Sequence, residues 1–333
     1  MPKDRRKQRR RKKHRASTGN PFLFGFLTAV LLFSLVFFIN ENYLHFESIP
    51  TVRQLAQRLG LVQRPDITVE QDEIAVHFID VGQGDCTLIK TPDKNMLIDC
   101  GERTEAATVV AYLRDFGVTR LDYVLVSHQH SDHMGGMAQI LRSFEIGEFI
   151  MPEIPEDMIP TADFYSDTLD VIEQKGIDAV YAEVGREIAL SEGTVLQLIG
   201  PVGSDYDDLN SYSVVARLVS GNYSFLFTGD MEKDAEREMT DAWIDIKADV
   251  LKVAHHGSST SSSDEFIWRV RPEYAVFSVG RDNSYGHPTD EVIERIMATG
   301  CEMLTTMQYG DIVFVTDGNE LKLVTTKGGA DAA

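Results

Sequence analysis

The chain reads as an α/β (α+β) protein: two mixed β-sheets packed together with helices outside, in one domain of about 250 residues. Two observations predict this class. Several β-branched and aromatic runs come first and strand–helix units follow, and that order is given twice. No repeat of fixed period stands out, which sets aside solenoids and propellers. A third observation separates the domain from its N-terminus. The formal net charge of the 333 residues is −20, but it is unevenly placed. Residues 1–15 hold ten Lys and Arg against Asp4 alone, and residues 16–40 hold no charged residue. The body, 41–333, therefore carries 22 basic and 51 acidic residues. A hydrophobic content of 43% excludes a disordered chain, and three cysteines exclude a disulfide-built mini-domain.

Phe22 to Ile39 is an uncharged apolar stretch of 18 residues. As a helix it spans roughly 27 Å, close to the hydrocarbon thickness of a bilayer. A cleaved signal peptide has the same basic–apolar order. The stretch is longer than the usual h-region, however, and Asn40-Glu41-Asn42-Tyr43 offers no small-x-small cleavage pair. The expectation is a single transmembrane helix at 22–39 after a basic cytoplasmic head, 1–21. The positive-inside rule then places the acidic body outside. Residues 40–72 are expected to form a stalk, either an amphipathic helix on the membrane or a spacer. The domain proper is expected over 73–328, with a tail at 329–333.

Within the body, strands are predicted at 74–79, 86–89 and 96–99, with the turn Asp80-Val81-Gly82-Gln83-Gly84-Asp85 joining the first two. A helix at 104–116 ends at Gly117, and the apolar strand 121–126 runs into His128. Further helices are predicted at 163–175, 231–242, 264–270 and 289–299. Further strands are predicted at 146–151, 195–199, 213–219, 223–228, 249–254, 274–279, 301–306, 311–316 and 320–326.

Histidine and carboxylate gather at strand ends. His128, His130, Asp132 and His133 lie within six residues. His128 and His130 alternate along an extended segment and so point the same way, while Asp132 and His133 follow on a turn. That pattern offers two pairs of ligands to two neighbouring metals, and imidazole with carboxylate suits zinc, iron or manganese. Asp230 ends the apolar run Phe225-Leu226-Phe227-Thr228-Gly229, where it can bridge two cations or cap the next helix. His255 and His256 end the strand 249–254, and His287 lies in Tyr285-Gly286-His287-Pro288.

The order His-x-His-x-Asp-His, Thr-Gly-Asp, His-His-Gly-Ser resembles the metallo-β-lactamase superfamily. The Asp80–Asp85 turn and Tyr285-Gly286-His287-Pro288 narrow the resemblance to the extracellular hydrolase domain of DNA-uptake channel proteins, the ComEC-like branch. It covers about residues 74–326 and implies an αββα sandwich. It also implies His128 and His130 as first-metal ligands, and Asp132 and His133 as second-metal ligands. Asp230 matches the bridging carboxylate, and His256 the last histidine, with His255 the close alternative. Strand alternation is expected to keep those two from sharing one metal. Asp99 matches a buried carboxylate that braces the metal loop, and Asp80 and Asp85 fall in the branch's own turn.

The chain departs from most of the superfamily in having no histidine between His133 and His255. Asn210 stands where a further first-metal histidine is expected, so its amide oxygen or a water fills the place. One or two divalent ions are therefore expected, zinc first and manganese next. His287 is left as a substitute ligand, an acid or a substrate clamp, and Asp132 and His287 are the expected catalytic residues.

The chemistry implied is hydrolysis by a metal-activated water, which needs no protein nucleophile. The run Ser258–Ser263 is either a loop or a phosphate cradle at the start of the helix 264–270. A Cys86–Cys100 bridge is left open. The substrate expected from the resemblance is a phosphodiester or nucleic acid, with Lys252, Arg269, Arg271 and Arg281 along one edge. A hydrolase of small esters and a non-catalytic binding protein are the alternatives. No protein partner is inferable.

Overall fold

In the computed structural model the described residues are 72–281 and 283–327, with 31, 32, 34–36, 67, 69 and 70. The expected head, most of the apolar stretch and stalk, and the tail lie outside them. Residues 31, 32 and 34–36 are helical. Among the described residues no helix is long and apolar enough to cross a membrane. The chain divides into two units, Met1–Val52 and Arg53–Ala333, and the fold below belongs to the second.

That unit begins with strands β1 (Ile74–Phe78), β2 (Thr87–Lys90) and β3 (Asn95–Ile98), then α1 (Ala106–Asp115) and β4 (Arg120–Leu125). Two short helices, α2 (Ser131–Met134) and α3 (Met137–Ser143), lead to β5 (Glu145–Met151), α4 (Asp163–Lys175) and β6 (Asp178–Tyr181). The hairpins β7 (Glu187–Ser191), β8 (Thr194–Gly200), β9 (Val215–Ser220) and β10 (Tyr223–Phe227) follow. Strand–helix units then resume with α5 (Lys233–Asp241), β11 (Val250–Lys252), α6 (Asp264–Val270), β12 (Tyr274–Phe277) and α7 (Asp290–Met297). The chain closes on β13 (Glu302–Thr305), α8 (Thr306–Tyr309), β14 (Ile312–Thr316) and β15 (Leu321–Thr325).

The strands form an eight-stranded sheet, order β15-β14-β1-β2-β3-β4-β5-β6, and a seven-stranded sheet, order β13-β12-β11-β10-β9-β8-β7. Each is antiparallel on one side and parallel on the other, the parallel parts being β3–β6 and β10–β13. The space between the sheets is filled by Val76, Phe78, Met96 and Leu125 from one and Leu196, Phe225, Phe227 and Val250 from the other. A second core packs α1, α3 and α4 on the outer face of the first sheet, and a third packs α5, α6 and α7 on the second. This is the expected four-layer αββα order.

The predicted strands and helices are present, most within two residues. Strands β6 and β7 were not anticipated. They close the two sheets as short edge strands, and β6 has only Val180 partly covered, so the apolar signal is thin. The predicted strand 249–254 is shorter, ending at Lys252. Ile67 and Val69, in the expected stalk, pack against Ala75, Val313 and Val315.

β1 is buried on both faces. Val76 and Phe78 face the inter-sheet core, while His77 faces α1, its Nδ1 2.9 Å from the Tyr112 hydroxyl and its ring 4.6 Å from that of Phe116. Burial holds its pKa down at about 3. The unfolded chain takes up this proton near pH 6.5 and the folded chain does not, so stability is full above that pH and is lost as pH falls towards 3. Between pH 6.5 and 5, His77→Gln should therefore lose about 2 kcal/mol less of its unfolding free energy than the wild type. Urea titrations of both proteins at the two pH values measure this, and equal losses would show that His77 carries its proton in the fold.

Candidate metal centre

Apart from Asn210, in the segment before β9, and His287, in the loop after β12, every candidate ligand sits just past the C-terminal end of a strand, where the parallel halves of both sheets open at one edge. β3 delivers Asp99, β4 delivers His128, β10 delivers Asp230 and β11 delivers His255 and His256. Ligands of open α/β sheets gather at this end for the same reason: chain leaving parallel strands must turn there and frees its polar groups. Val214 N donates to Ser127 O (2.9 Å), which ties the two edges together.

Asp99 organises the His128–His133 loop. It has φ +58° and is buried, and its carboxylate accepts Ser127 N (2.7 Å), Ser127 Oγ (2.6 Å) and His133 Nδ1 (2.9 Å). Burial pushes the carboxyl pKa up, and the bond to His133 pulls it back. The Asp80–Asp85 turn packs on the same loop. Asp85 N donates to Asp132 O (3.1 Å), and a Cβ on Gly84 would sit 2.4 Å from that oxygen, so only glycine lets the turn come this close.

With its outer nitrogen held by Asp99, His133 presents Nε2 to Asp230 Oδ1 at 3.2 Å. His256 repeats the arrangement. Its Nδ1 is held by Ser278 O (2.8 Å), and its Nε2 lies 3.3 Å from Asp132 Oδ2 and 3.4 Å from Asp230 Oδ2. One atom from each of Asp132, His133, Asp230 and His256 lies within 4.8 Å of all the others. A protein acceptor fixing the outer ring nitrogen while the inner one stays free is the usual preparation of a metal-binding histidine.

The electrostatics point the same way. Burial disfavours charge on His133, yet Asp230, Asp132, Asp85 and Asp99 outweigh it and raise its pKa well above normal. Against the same burial, Asp230, Asp132 and Asp85 lift His256 to about 9. Burial also works against the Asp230 carboxylate, but His133 and His256 hold its pKa well below normal. Lys252, itself buried, pairs with Asp85 and reaches within 3.9 Å of Asp230 Oδ1. Carboxylates that draw protons onto buried imidazoles form a set short of positive charge, and a divalent ion supplies that charge and releases the protons. His133 Nε2, His256 Nε2, Asp230 Oδ1 and Asn210 Oδ1 are buried with no hydrogen-bond partner. Buried polar atoms are ordinarily bonded, so these donors fit a cation.

His128 and His130 meet as expected, His128 Nε2 lying 2.9 Å from His130 Nδ1. Burial lowers the pKa of both, so they are neutral donors. His130 and Asn210 line a cavity of about 270 Å³ with Gln83, Ser131, Asp132, Asp230, His255, His256, Tyr285 and His287. His287 is about 5.6 Å from His255 by ring centroids and stacks on Tyr285 at 5.8 Å.

Several expectations are corrected. His255 and His256 lie past the strand in a turn with φ +49° and +53°, so alternation does not separate them, and His255 Nε2 also comes within 3.7 Å of Asp230 Oδ2. Asp80 does not line the cavity; its carboxylate accepts Gly82 N (3.3 Å) and pairs with Lys327 (2.7 Å). Ser258 Oγ bonds Thr260 Oγ1 (3.0 Å), and the amides of Ser262 and Ser263 at the start of α6 are taken by the buried Glu236 carboxylate. The chain's own carboxylate therefore holds the place that the cradle reading gave to a phosphate, and the loop reading stands. Lys252 is buried and ion-paired rather than on a substrate edge, and Arg269 is spent on Thr240 O and Glu265. Cys86 and Cys100 are free and buried.

The sequence reading also missed Gln83, Glu232 and Tyr285. Glu232 follows Asp230 by two positions, and Gln83 and Tyr285 fall inside two singled-out motifs, so proximity was the available signal.

The sequence profile of the metallo-beta-lactamase superfamily matches residues 79–281. ComE operon protein 3 of Bacillus subtilis is 29% identical over 264 residues, which cover 72% of this chain and 32% of that protein. Competence protein ComA of Neisseria gonorrhoeae is 33% identical over 259 residues, 77% of this chain and 34% of that protein. The chain thus spans about a third of the length of the curated relatives it matches. Among solved structures, the metallo-beta-lactamase fold protein YhfI from Bacillus subtilis superposes with a TM-score of 0.50 at 12% identity, over 73% of this chain and 100% of that one. The four-layer fold, the strand-end donor set and these similarities agree: the chain belongs to the metallo-beta-lactamase superfamily and is similar, over this domain, to ComE operon protein 3 and competence protein ComA.

Proposed function

We propose that the protein is a membrane-tethered, extracytoplasmic, metal-dependent phosphodiesterase acting on nucleic acid. The observation that carries this reading is the buried set Asp132, His133, Asp230 and His256, whose inner atoms lack hydrogen-bond partners. These residues, with His128, His130 and Asn210, would hold divalent ions, which when bound would supply Lewis acidity and an activated water near neutral pH. Zinc suits the imidazoles, and manganese suits the oxygen-richer half. Asp230 faces His133, His255 and His256, and its carboxylate would help hold ions in both halves. Asp132, the least buried of the set, takes part in both ligation and catalysis. Half-buried His287, with Nδ1 unpartnered, bonds the substrate or its leaving group. Tyr285 is 69% exposed at the cavity and offers a flat face for a base.

The relatives' competence names favour a nucleic-acid substrate. One observation favours a second reading, hydrolysis of a small ester: none of the ten residues lining the cavity is Lys or Arg. Polyanion binding draws on such residues. Release of p-nitrophenol from bis-p-nitrophenyl phosphate, nicking of labelled DNA and opening of nitrocefin separate the readings. Activity on the first two is expected, and activity on nitrocefin alone would reject the phosphodiesterase.

Asp132→Ala and His133→Ala should each abolish turnover and lower bound metal, measured by plasma mass spectrometry, with far-UV dichroism unchanged. Full metal content in either variant would remove that residue from the ligand set.

Asn210→His should tighten metal binding and shift preference towards zinc, because imidazole is the better zinc ligand. His287→Ala should slow phosphodiester turnover by about 10²–10⁴-fold if the residue transfers a proton, and metal content should persist. Loss of one metal with His287 would instead make it a ligand.

The basic head before residues 22–39 motivates the tether. Protease added to intact cells should digest the body and leave it otherwise membrane-bound. A protected or secreted body would reject this topology.

A further inference from the structure

Glu232 occupies the N-cap of α5, yet its side chain does not cap the helix. Its carboxylate is directed elsewhere. Oε1 accepts Asn210 Nδ2 (3.3 Å) and Thr260 Oγ1 (2.9 Å), and lies 3.3 Å from His255 Nδ1. The loop is fixed beneath it by Lys233 N donating to Thr260 O (3.0 Å). The contacts to Asn210 and His255 each decide an orientation. An amide that gives its NH₂ to a carboxylate turns its oxygen away, and Asn210 Oδ1 is the buried, unpartnered atom. His255 Nδ1 lies 3.2 Å from Thr260 Oγ1, whose hydroxyl donates to Glu232, as well as 3.3 Å from Glu232 Oε1 itself. An imidazole held through Nδ1 in this way keeps Nε2 free, and His255 Nε2 lies 3.7 Å from Asp230 Oδ2. His133 with Asp99, and His256 with Ser278 O, are prepared in the same way in the other half of the centre.

We propose that Glu232 is the positioning residue of the first-metal half: one carboxylate aims both Asn210 Oδ1 and His255 Nε2 at the place where most of the superfamily has a further histidine. This rests on the metal-centre reading above. It makes His255 a first-half donor and leaves His256 to the second half.

The test is Glu232→Gln in the full-length chain, titrated with Zn²⁺ and separately with Mn²⁺ by equilibrium dialysis. ¹⁵N-histidine NMR reads the His255 tautomer, and thermal melting of the metal-free protein reports the fold. The weaker of two binding steps should weaken about 10–100-fold while the tighter step is unchanged. His255 should lose its fixed Nδ1–H tautomer. Glu232→Asp and Thr260→Val should move the same step in the same direction, and they carry the test should Glu232→Gln fail to fold. Unchanged affinities, or equal weakening of both steps, would overturn the proposal alone. A wild type that binds neither ion would overturn the metal-centre reading and this proposal together.

Discussion

Buried negative charge is the constraint on which the rest of this structure depends. Asp85, Asp99 and Asp230 are each almost wholly buried, and Asp132 lies largely so beside them. Like charges so close in a low-dielectric interior repel by several kcal/mol per pair unless cations lie between them. The chain provides Lys252 against Asp85 and draws protons onto His133 and His256. The fold then holds the group in place from both sheets, through Asp99 on the histidine loop, Ser278 O on His256 and the Asp80–Asp85 turn against Asp132. Gly84 belongs to this constraint too, because any side chain there would push the turn off Asp132 O.

The two halves of the centre are built differently. The second half has its four donors within 4.8 Å of one another, and both imidazoles are anchored through their outer nitrogens. In the proposed first half His128 and His130 lie close together, and the unpartnered Asn210 Oδ1 would stand in place of a third imidazole. A neutral amide oxygen in place of the second half's carboxylates would make it the more weakly binding half, the one where the identity of the ion and its exchange depend on neighbours such as Glu232.

Much of this was legible in the sequence, for identifiable reasons. His128 to His133 stood out because four donors within six residues at the end of an apolar strand suit neither a core nor an ordinary surface. The helices 163–175 and 264–270 matched to the residue because their apolar spacing is regular and, at 264–270, Ser263 caps the start. Other features were hidden. Edge strand β6 buries no side chain fully, and β7 places only Ile188 and Leu190 in the core, too short an alternation to stand out. The approach of His255 to Asp230 depends on left-handed backbone at two consecutive histidines, which no side-chain period encodes. Lys252 read as a surface cation because its partner, Asp85, is far away in sequence. The serine run left a loop and an anion cradle equally open because the group that takes its amides, Glu236, comes from another helix. In each case a contact between distant segments decided the role.

The most direct measurement of the central claim is anomalous diffraction from crystals grown with zinc, recorded on either side of the zinc absorption edge. The account predicts a peak enclosed by the carboxylates of Asp132 and Asp230 and by Nε2 of His133 and His256, with a weaker peak beside His128, His130 and Asn210. A peak elsewhere on the chain, with no density between His133 Nε2 and Asp230 in zinc-saturated crystals, would contradict it.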